Sequence, residues 1–248
     1  MTAQPGTVHL VGAGPGDPGL ITVRGRRILE SADVVVFDRL VAPELLETAR
    51  PDAMRVSAGK APGGRGPSQA RINAQIIEHA RAGRSVCRLK GGDPFIFGRG
   101  AEEIADVAAA GIPWDVVPGV TSAVAAPAAA GIPLTHRDWA STATLVTGHE
   151  GKDKDGAPVD WAAVADASGT IVILMGVATL KSTCEQLIAA GRPSSEPVAV
   201  IERATWPDQR ITLGTLADIA GTAERIGVSN PAVVVVGAVV RALPGGSE

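Results

Sequence analysis

The chain has no tyrosine, two cysteines and only 3% aromatic residues among its 248 residues. The absence of tyrosine excludes the Tyr/Lys pair that short-chain dehydrogenases use for hydride transfer. Cys87 and Cys184 stand far apart, so the sequence has neither a disulfide framework nor the paired cysteines of a zinc site. We therefore expect no metal, and a reducing, cytoplasmic setting.

Long hydrophobic runs and a basic charge balance are also absent. The N-terminal MTAQPGTVHL has no basic stretch before an apolar run, and later apolar segments are strand-sized or carry polar faces. We expect neither export nor membrane insertion. A formal charge of -3 and a pI near 5.8 argue against a general nucleic-acid binder, because such proteins usually carry a basic surface.

Short apolar runs alternate with amphipathic helices in the first half of the chain. In one such helix Ile72, Ile76 and Ala80 form the inner stripe, between a candidate N-cap at Ser68 and a terminating Gly83. This alternation predicts βαβ units and a mostly parallel sheet. We expect strands buried on both faces at residues 8–11, 34–37, 54–57, 85–89 and 114–117.

The pattern changes after residue 118. An alanine-rich stretch covers residues 121–131, and 209–213 could add an antiparallel strand. Residues 148–159, rich in Lys, Asp and Gly, are typical of a surface loop. The sequence predicts two α/β domains, residues 1–118 and 119–248. Further strands are expected at 142–146, 170–175, 197–201 and 232–240.

Two glycine-proline loops follow apolar strands, at residues 12–19 and 91–100. Glycine has no Cβ, so the main chain of such a loop can approach a ligand closely, and proline stiffens it. Gly14-x-Gly16-x-x-Gly19 formally matches the dinucleotide fingerprint, with Asp38 placed as a ribose-binding acid. Because the prolines remove amides that a pyrophosphate needs, an NAD-dependent oxidoreductase stays only a distant alternative.

Several longer strings carry a family resemblance: VHLVGAGPGDPGLIT, VVVFDRLV, VCRLKGGDPFIFGRGAEE, VVPGVTSAVAAPAAAGIPLTHR, TIVILMG and NPAVVVVG. On these the chain, from about Thr7 to Val240, resembles the tetrapyrrole methylases, in particular the members that methylate uroporphyrinogen III. LKGGDPFIFGRGAEE is the most specific string. Pro67, where a histidine is common in the family, and Ala101, where a glycine is frequent, depart from the pattern.

The resemblance implies two α/β domains with S-adenosyl-L-methionine in the cleft between them, in a fold unlike the Rossmann methyltransferases. Small residues and backbone groups suit close approach to adenine and ribose, and Asp and hydroxyl side chains offer polar anchors. Capping and core filling are the structural alternatives for these positions. The implied cofactor-binding residues are Pro15, Gly91, Gly92, Asp93, Ile96, Thr121, Ser122, Met175, Ala204 and Ala232.

The implied reaction transfers two methyl groups to C2 and C7 of uroporphyrinogen III. It gives precorrin-2 and S-adenosyl-L-homocysteine, without a metal. The substrate carries eight carboxylates, and arginine pairs with carboxylates through two hydrogen bonds. We therefore expect Arg39, Lys60 and Arg137 to bind substrate.

Arg99, Glu102 and Asp38 are the expected catalytic residues. Arg99 and Glu102 stand three apart at the start of a predicted helix, so they face the same side, and a surface ion pair is the simpler alternative. The family implies that Arg99 assists removal of the pyrrole N–H proton. A guanidinium is a poor base, however, so we favour an electrostatic clamp. Asp38 could instead cap a turn.

Other functions stay open at this stage: a precorrin methyltransferase acting at another ring carbon, or a sensor that binds the cofactor without catalysis. The resemblance further implies a homodimer with a small-molecule tetrapyrrole substrate, and we expect no nucleic-acid or membrane partner. Dehydrogenase and chelatase steps are expected to need other proteins. The sequence leaves open whether the product enters sirohaem, cobalamin or haem d1 synthesis.

Overall fold

The computed structural model describes residues 2–59, 68–149 and 158–242. It divides into two compact units, Met1–Ser122 and Ala123–Glu248, a division that lies a few residues after the boundary expected from the sequence. Each unit contains one five-stranded sheet among the described residues. Helices lie between the strands in both units, so each unit has α/β architecture.

The sheet of the first unit is parallel throughout, in the order β3-β2-β4-β1-β5. Parallel neighbours need crossover connections, which the intervening helices supply. Its strands are β1 (Val8–Gly12), β2 (Val34–Phe37), β3 (Met54–Ser57), β4 (Val86–Lys90) and β5 (Trp114–Val117), and its helices are α1 (Val23–Leu29), α2 (Pro43–Glu47), α3 (Gln69–Arg81) and α4 (Gly100–Ala109).

Helix α3 forms where the hydrophobic period places it. The Ser68 hydroxyl accepts a hydrogen bond from the Arg71 amide at 3.3 Å, which caps the first turn. Ile72, Ile76 and Ala80 are buried in one core cluster with residues of the sheet and of α4. Gly83 follows the helix with φ +78°, the left-handed conformation that ends helices.

The expectation that all five strands are buried on both faces is wrong for β3 and β5. Met54 of β3 is 45% exposed and Trp114 of β5 is 46% exposed. These two strands form the edges of the sheet, where a strand has a neighbouring strand on one side only. Strands β1, β2 and β4 are central and are buried almost completely.

The sheet of the second unit is mixed, in the order β6-β7-β10-β8-β9. Only β6 and β7 pair in parallel, and the other neighbours are antiparallel. Its strands are β6 (Ala143–Thr147), β7 (Thr170–Leu174), β8 (Pro197–Glu202), β9 (Arg210–Thr215) and β10 (Ala232–Val236), and the helices are α5 (Ser122–Ala129), α6 (Trp161–Asp166), α7 (Leu180–Ala189) and α8 (Ile219–Ile226).

Alternate residues of β8 show how both faces of this sheet are covered. Val198 and Val200 belong to one hydrophobic cluster, and Ala199 and Ile201 belong to another on the opposite face. The antiparallel strand expected at 209–213 is confirmed as β9, which pairs with β8. The strand expected at 232–240 is too long, because β10 ends at Val236 and a 3₁₀ turn, Ala238–Ala242, follows.

Most of the loop expected at 148–159 lies outside the described residues. Within the described ranges, no helix is both long enough and apolar enough to cross a membrane.

Candidate functional site

The carboxyl edge of the parallel sheet gathers most of the predicted site residues of the first unit. Strands β1, β2, β4 and β5 all end at this edge, because parallel strands run in the same direction. The loops that follow them carry Pro15, Asp38, Gly91 to Asp93, and Thr121 with Ser122. Open α/β sheets bind ligands at this edge, so the topology brings these residues into a common region.

The two glycine-proline loops are joined directly. The Gly14 amide donates to the Gly92 carbonyl at 3.2 Å, and the Gly92 amide donates to the Gly14 carbonyl at 2.7 Å. The Ala13 amide also donates to the Lys90 carbonyl at 2.7 Å. These bonds hold the loops after β1 and β4 as a single backbone surface.

Glycine is required where the loop after β5 meets the other two. A Cβ built on Gly119 would lie 2.2 Å from the Gly92 carbonyl oxygen and 2.7 Å from the Gly12 Cα. Gly92 is constrained in a different way from Gly119. Its φ of +68° disfavours any residue with a side chain. A Cβ built on Gly92 would not clash, since its nearest atoms, in Thr121 and Ser122, are 3.8 Å away. A Cβ at Gly92 would therefore pack at ordinary van der Waals distance against Thr121 and Ser122, two predicted cofactor-binding residues.

The Asp93 carboxylate is hydrogen-bonded to backbone amides of two loops in this region. Oδ1 accepts from the Phe95 amide at 2.8 Å, and Oδ2 accepts from the Gly119 amide at 3.0 Å. Each carboxylate oxygen has a second lone pair, so a further donor can still be accepted. The predicted polar anchor thus also fixes the loops after β4 and β5.

Arg99 and Glu102 form an exposed ion pair at the start of α4. Arg99 Nε lies 3.0 Å from Glu102 Oε1, and Nη2 lies 2.5 Å from Oε2. The hydrogen bonds to Glu102 raise the pKa of Arg99, and those from Arg99 lower the pKa of Glu102. Arg99 has φ +59°, a left-handed conformation that is costly outside glycine and often marks a functional site. The guanidinium is charged at neutral pH, as arginine side chains are.

Asp38, directly after β2, is held by a cation and is only partly exposed. Its Oδ1 accepts from Arg88 Nη2 at 2.6 Å, and its Oδ2 lies 3.9 Å from Lys90 Nζ. The carboxylate is 30% exposed, whereas the Arg88 side chain is 3% exposed. Asp38 therefore stands between a buried cation and the surface of this edge.

Sequence reasoning missed Arg88, Lys90 and Glu103. The sequence predicts an apolar strand at 85–89, yet Arg88 is buried within it and Lys90 is buried as the last residue of β4, and both pair with Glu103 of α4. The available signal was the pair of cations two residues apart in a buried strand, since buried charges need partners of opposite sign. The identity of the partner carboxylate depends on a tertiary contact, which the local sequence does not show.

Met175 and Ala204 of the second unit follow strands, whereas Ala232 is the first residue of β10. Met175 comes directly after β7, with φ +56°, and is 42% exposed. Ala204 and Ala232 are 7% and 8% exposed. Arg203 and Thr205, on either side of Ala204, have φ of +46° and +70°. Such strain in non-glycine residues is concentrated at functional sites.

The remaining predicted residues within the described ranges are half-buried or exposed. Ile96 and Pro15 are half-buried in the two glycine-proline loops, and Arg39 is exposed next to Asp38. Arg137 is exposed in a turn where His136 and Trp139 stack with ring centroids 4.1 Å apart. Lys60 lies outside the described residues.

The fold disfavours the dinucleotide alternative. The glycine loop leads into a 3₁₀ turn, Pro18–Leu20, and α1 begins only after its N-cap Thr22. No α-helix N-terminus therefore follows the glycines directly, as pyrophosphate binding requires. The strand order also differs from the 3-2-1-4-5-6 order of the Rossmann fold. In the described ranges, no group of three or more His, Cys, Asp or Glu side chains could hold a metal ion.

Comparison with known proteins agrees with this architecture. The family described as Tetrapyrrole (Corrin/Porphyrin) Methylases matches residues 7–220. An S-adenosyl-L-methionine-dependent uroporphyrinogen III methyltransferase of Methanosarcina barkeri is 48% identical over 97% of this chain and 94% of that protein. The siroheme synthase of Chromobacterium violaceum is 50% identical over 95% of this chain. The chain spans about half the length of that synthase, 50%.

A solved structure extends the agreement to three dimensions. The uroporphyrin-III C-methyltransferase of Thermus thermophilus, complexed with S-adenosyl homocysteine, superposes with a TM-score of 0.82. It is 40% identical, and the match covers 95% of this chain and 99% of that one. The predicted α/β fold of the tetrapyrrole methylase type is confirmed. This chain belongs to the tetrapyrrole methylase family.

Proposed function

We propose that this protein methylates uroporphyrinogen III at C2 and C7, with S-adenosyl-L-methionine as the methyl donor, to give precorrin-2. The observation that carries the proposal is the 48% identity to the M. barkeri uroporphyrinogen III methyltransferase over nearly the full length of both chains. The carboxyl edge of the parallel sheet supports it, since glycine loops, a carboxylate and an arginine-glutamate pair lie there together.

The residues of this edge fit the cofactor. Gly92 has a left-handed backbone and lies beside Thr121 and Ser122, whose atoms are 3.8 Å from the position that a Cβ would take. Asp93 is fixed by two backbone amides and keeps lone pairs for a further donor. We assign cofactor binding here to Pro15, Gly91, Gly92, Asp93, Ile96, Thr121 and Ser122. Met175, Ala204 and Ala232 of the second unit stay predictions for the same role.

The bound cofactor supplies an activated methyl group on a sulfonium, so the protein has to align donor and acceptor and exclude water. Asp38 presents a partly exposed carboxylate that can accept a hydrogen bond from a pyrrole N–H. Arg99, held charged by Glu102, suits a substrate carboxylate. A guanidinium is a poor base, which supports the clamp over the general base. Arg39 and Arg137 are exposed and available to other carboxylates, and Lys60 stays a prediction.

The test is incubation of the purified protein with uroporphyrinogen III and S-adenosyl-L-methionine under anaerobic conditions. Mass spectrometry should show two added methyl groups, and NMR should place them at C2 and C7. Methylation at other ring carbons would identify a different tetrapyrrole methyltransferase instead. Binding of S-adenosylhomocysteine without any methylated product would point to a sensor.

We propose that the protein is a homodimer, in keeping with the family resemblance. One apolar feature supports this: Val124 of α5 is 49% exposed and borders a groove with Ile132 and Leu134. The apolar strand β10 offers no free edge for an interface, because it is internal to its sheet and pairs with β7 and β8. Light scattering at micromolar concentration tests the assembly, and a monomeric mass would refute it.

We also propose a cytoplasmic location. Cys87 and Cys184 are free and buried, which suits a reducing compartment. Fractionation of cells followed by immunoblotting tests this, and recovery of the protein outside the cytoplasm would contradict it.

A further inference from the structure

A group of four charged side chains lies under the carboxyl edge of the parallel sheet. Arg88 and Lys90 are two apart on β4, so both point to the same face, and α4 supplies Glu103. Arg88 Nη2 and Nε lie 3.0 and 3.2 Å from Glu103 Oε1, and Lys90 Nζ lies 3.1 Å from Oε2. Asp38 completes the group, with Oδ1 accepting from Arg88 Nη2 at 2.6 Å.

Burial makes the balance of charge in this group important. The side chains of Arg88, Lys90 and Glu103 are 3%, 4% and 1% exposed. Removing one partner from a buried ion pair is costly because the other charge is left without compensation. The two cations are balanced by the two carboxylates of Glu103 and Asp38. Burial lowers the pKa of Lys90, because it removes solvent from the charged form, and the nearby positive charge of Arg88 lowers it further.

The group contacts or adjoins each predicted catalytic residue of the first unit. Asp38 is a member of it. Glu103 directly follows Glu102, and its amide donates to the Arg99 carbonyl at 3.3 Å in the first turn of α4. Gln69 of α3 also donates to Glu103 Oε1, at 2.9 Å. Fixing Glu103 therefore fixes the helix turn that presents Arg99 and Glu102.

We propose that Arg88, Lys90 and Glu103 are positioning residues for methyl transfer: they hold Asp38 and the first turn of α4 in the arrangement that the reaction needs. None of the three reaches the surface of the edge, so they act through Asp38 and through the Arg99–Glu102 pair. This inference rests on the proposed function and deepens it.

Variants that disturb and then restore the charge balance of this group distinguish a positioning role in catalysis from a purely stabilising role in the fold. Glu103→Gln leaves two cations opposite one carboxylate, and Asp38 becomes the only counter-charge for both. We expect kcat to fall by about tenfold to a hundredfold, as for a misplaced catalytic group, with the KM for uroporphyrinogen III changed by less than about threefold. Adding Lys90→Met restores one cation against one carboxylate. The double variant should therefore regain most of the lost kcat.

A second variant keeps the test valid if Glu103→Gln does not fold. Arg88→Lys retains the charge but loses the planar group that contacts Glu103 and Asp38 together, so kcat measured on the folded variant should fall. Glu196→Gln is the matched control. It removes the carboxylate of another largely buried pair, with Arg192 Nη1 at 2.7 Å from Glu196 Oε1, in the second unit. This control should keep the wild-type kcat.

The outcomes distinguish this inference from the function on which it rests. Wild-type protein that forms no methylated product refutes both. Active wild-type protein with unchanged kcat in folded Glu103→Gln and Arg88→Lys refutes the inference alone. A Glu103→Gln/Lys90→Met variant that regains none of the kcat lost in Glu103→Gln would refute the charge balance as the means of positioning.

Discussion

Gly14 and Gly92 exchange two backbone hydrogen bonds, so the loops after β1 and β4 form one continuous main-chain surface. This contact uses the amide and carbonyl of both glycines and leaves the φ of Gly92 at +68°. A rigid backbone surface that carries no side chain at Gly14 and Gly92 allows a small ligand to approach the main chain closely. The site is therefore most sensitive to added side chains at this point.

Gly92→Val should abolish binding of S-adenosylhomocysteine while leaving the fold largely intact. The left-handed φ costs a valine about 1–3 kcal/mol, and its Cβ would already contact Thr121 and Ser122 at 3.8 Å, so its methyl groups would project beside these predicted cofactor-binding residues. Calorimetry measures the affinity. Gly83→Val is the control, because Gly83 has φ +78° and open surroundings but follows α3. It should lose similar stability and keep full affinity. Unchanged affinity in Gly92→Val would remove this loop from the site.

Substitutions at Arg99 separate the clamp from the base. Arg99→Lys should keep part of the activity through its charge, whereas Arg99→Ala should lose about 2 to 4 kcal/mol of transition-state stabilisation, roughly thirty- to a thousandfold in rate. S-adenosylhomocysteine affinity should hardly change. Arg26→Ala is the control, since Arg26 and Glu30 form another exposed helical pair, and it should leave the rate unchanged.

The pH profile of Arg99→Lys gives a second test of the same residue. A clamp is charged throughout the neutral range, so the dependence of kcat on pH should keep its shape. A general base is active only when deprotonated, so its loss would erase the limb at low pH. If that limb vanishes, or if Arg99→Lys is as inactive as Arg99→Ala, proton transfer through Arg99 replaces the clamp.

Asp93→Asn should weaken the junction between the loops after β4 and β5. The carboxylate accepts from Phe95 and Gly119 through separate oxygens, and an amide can replace only one of them because its nitrogen is a donor. We expect a loss of about 1.5–3 kcal/mol of stability by thermal unfolding, with reduced S-adenosylhomocysteine affinity.

Asp160→Asn is the matched control for Asp93. Asp160 caps α6 through Oδ1 alone, which accepts from both Ala162 and Ala163. Asparagine keeps that oxygen, so this variant should unfold within a degree or two of the wild type. Equal destabilisation of both variants would show that Asp93 acts as an ordinary capping residue.

Neither cysteine should react in the folded protein. Burial raises the pKa of Cys87 to about 12 and that of Cys184 to about 11. The thiolate is the reactive species, so at about pH 8 iodoacetamide should modify neither thiol until the protein is unfolded. Mass spectrometry with and without denaturant measures this. Rapid labelling of Cys87 in native protein would contradict its burial in β4.

Features that depend on neighbours in the sequence were predictable. The period of Ile72, Ile76 and Ala80 placed α3, with Ser68 and Gly83 at its ends, because helical period and capping are local. The glycine-proline loops and their place after strands were also predicted from local chemistry. The exposure of β3 and β5 was not, because an apolar run does not show whether a strand is central or at an edge.

By itself the sequence determined the α/β class, the family resemblance and the identity of the two loops, since these depend on residues in order along the chain. The tertiary structure alone decided that the loops are bonded to each other through Gly14 and Gly92. It also decided that Arg88 finds its carboxylates 15 and 50 residues away, in Glu103 and Asp38. Partners at such separations are brought together only by strand order and helix packing, which no local pattern encodes.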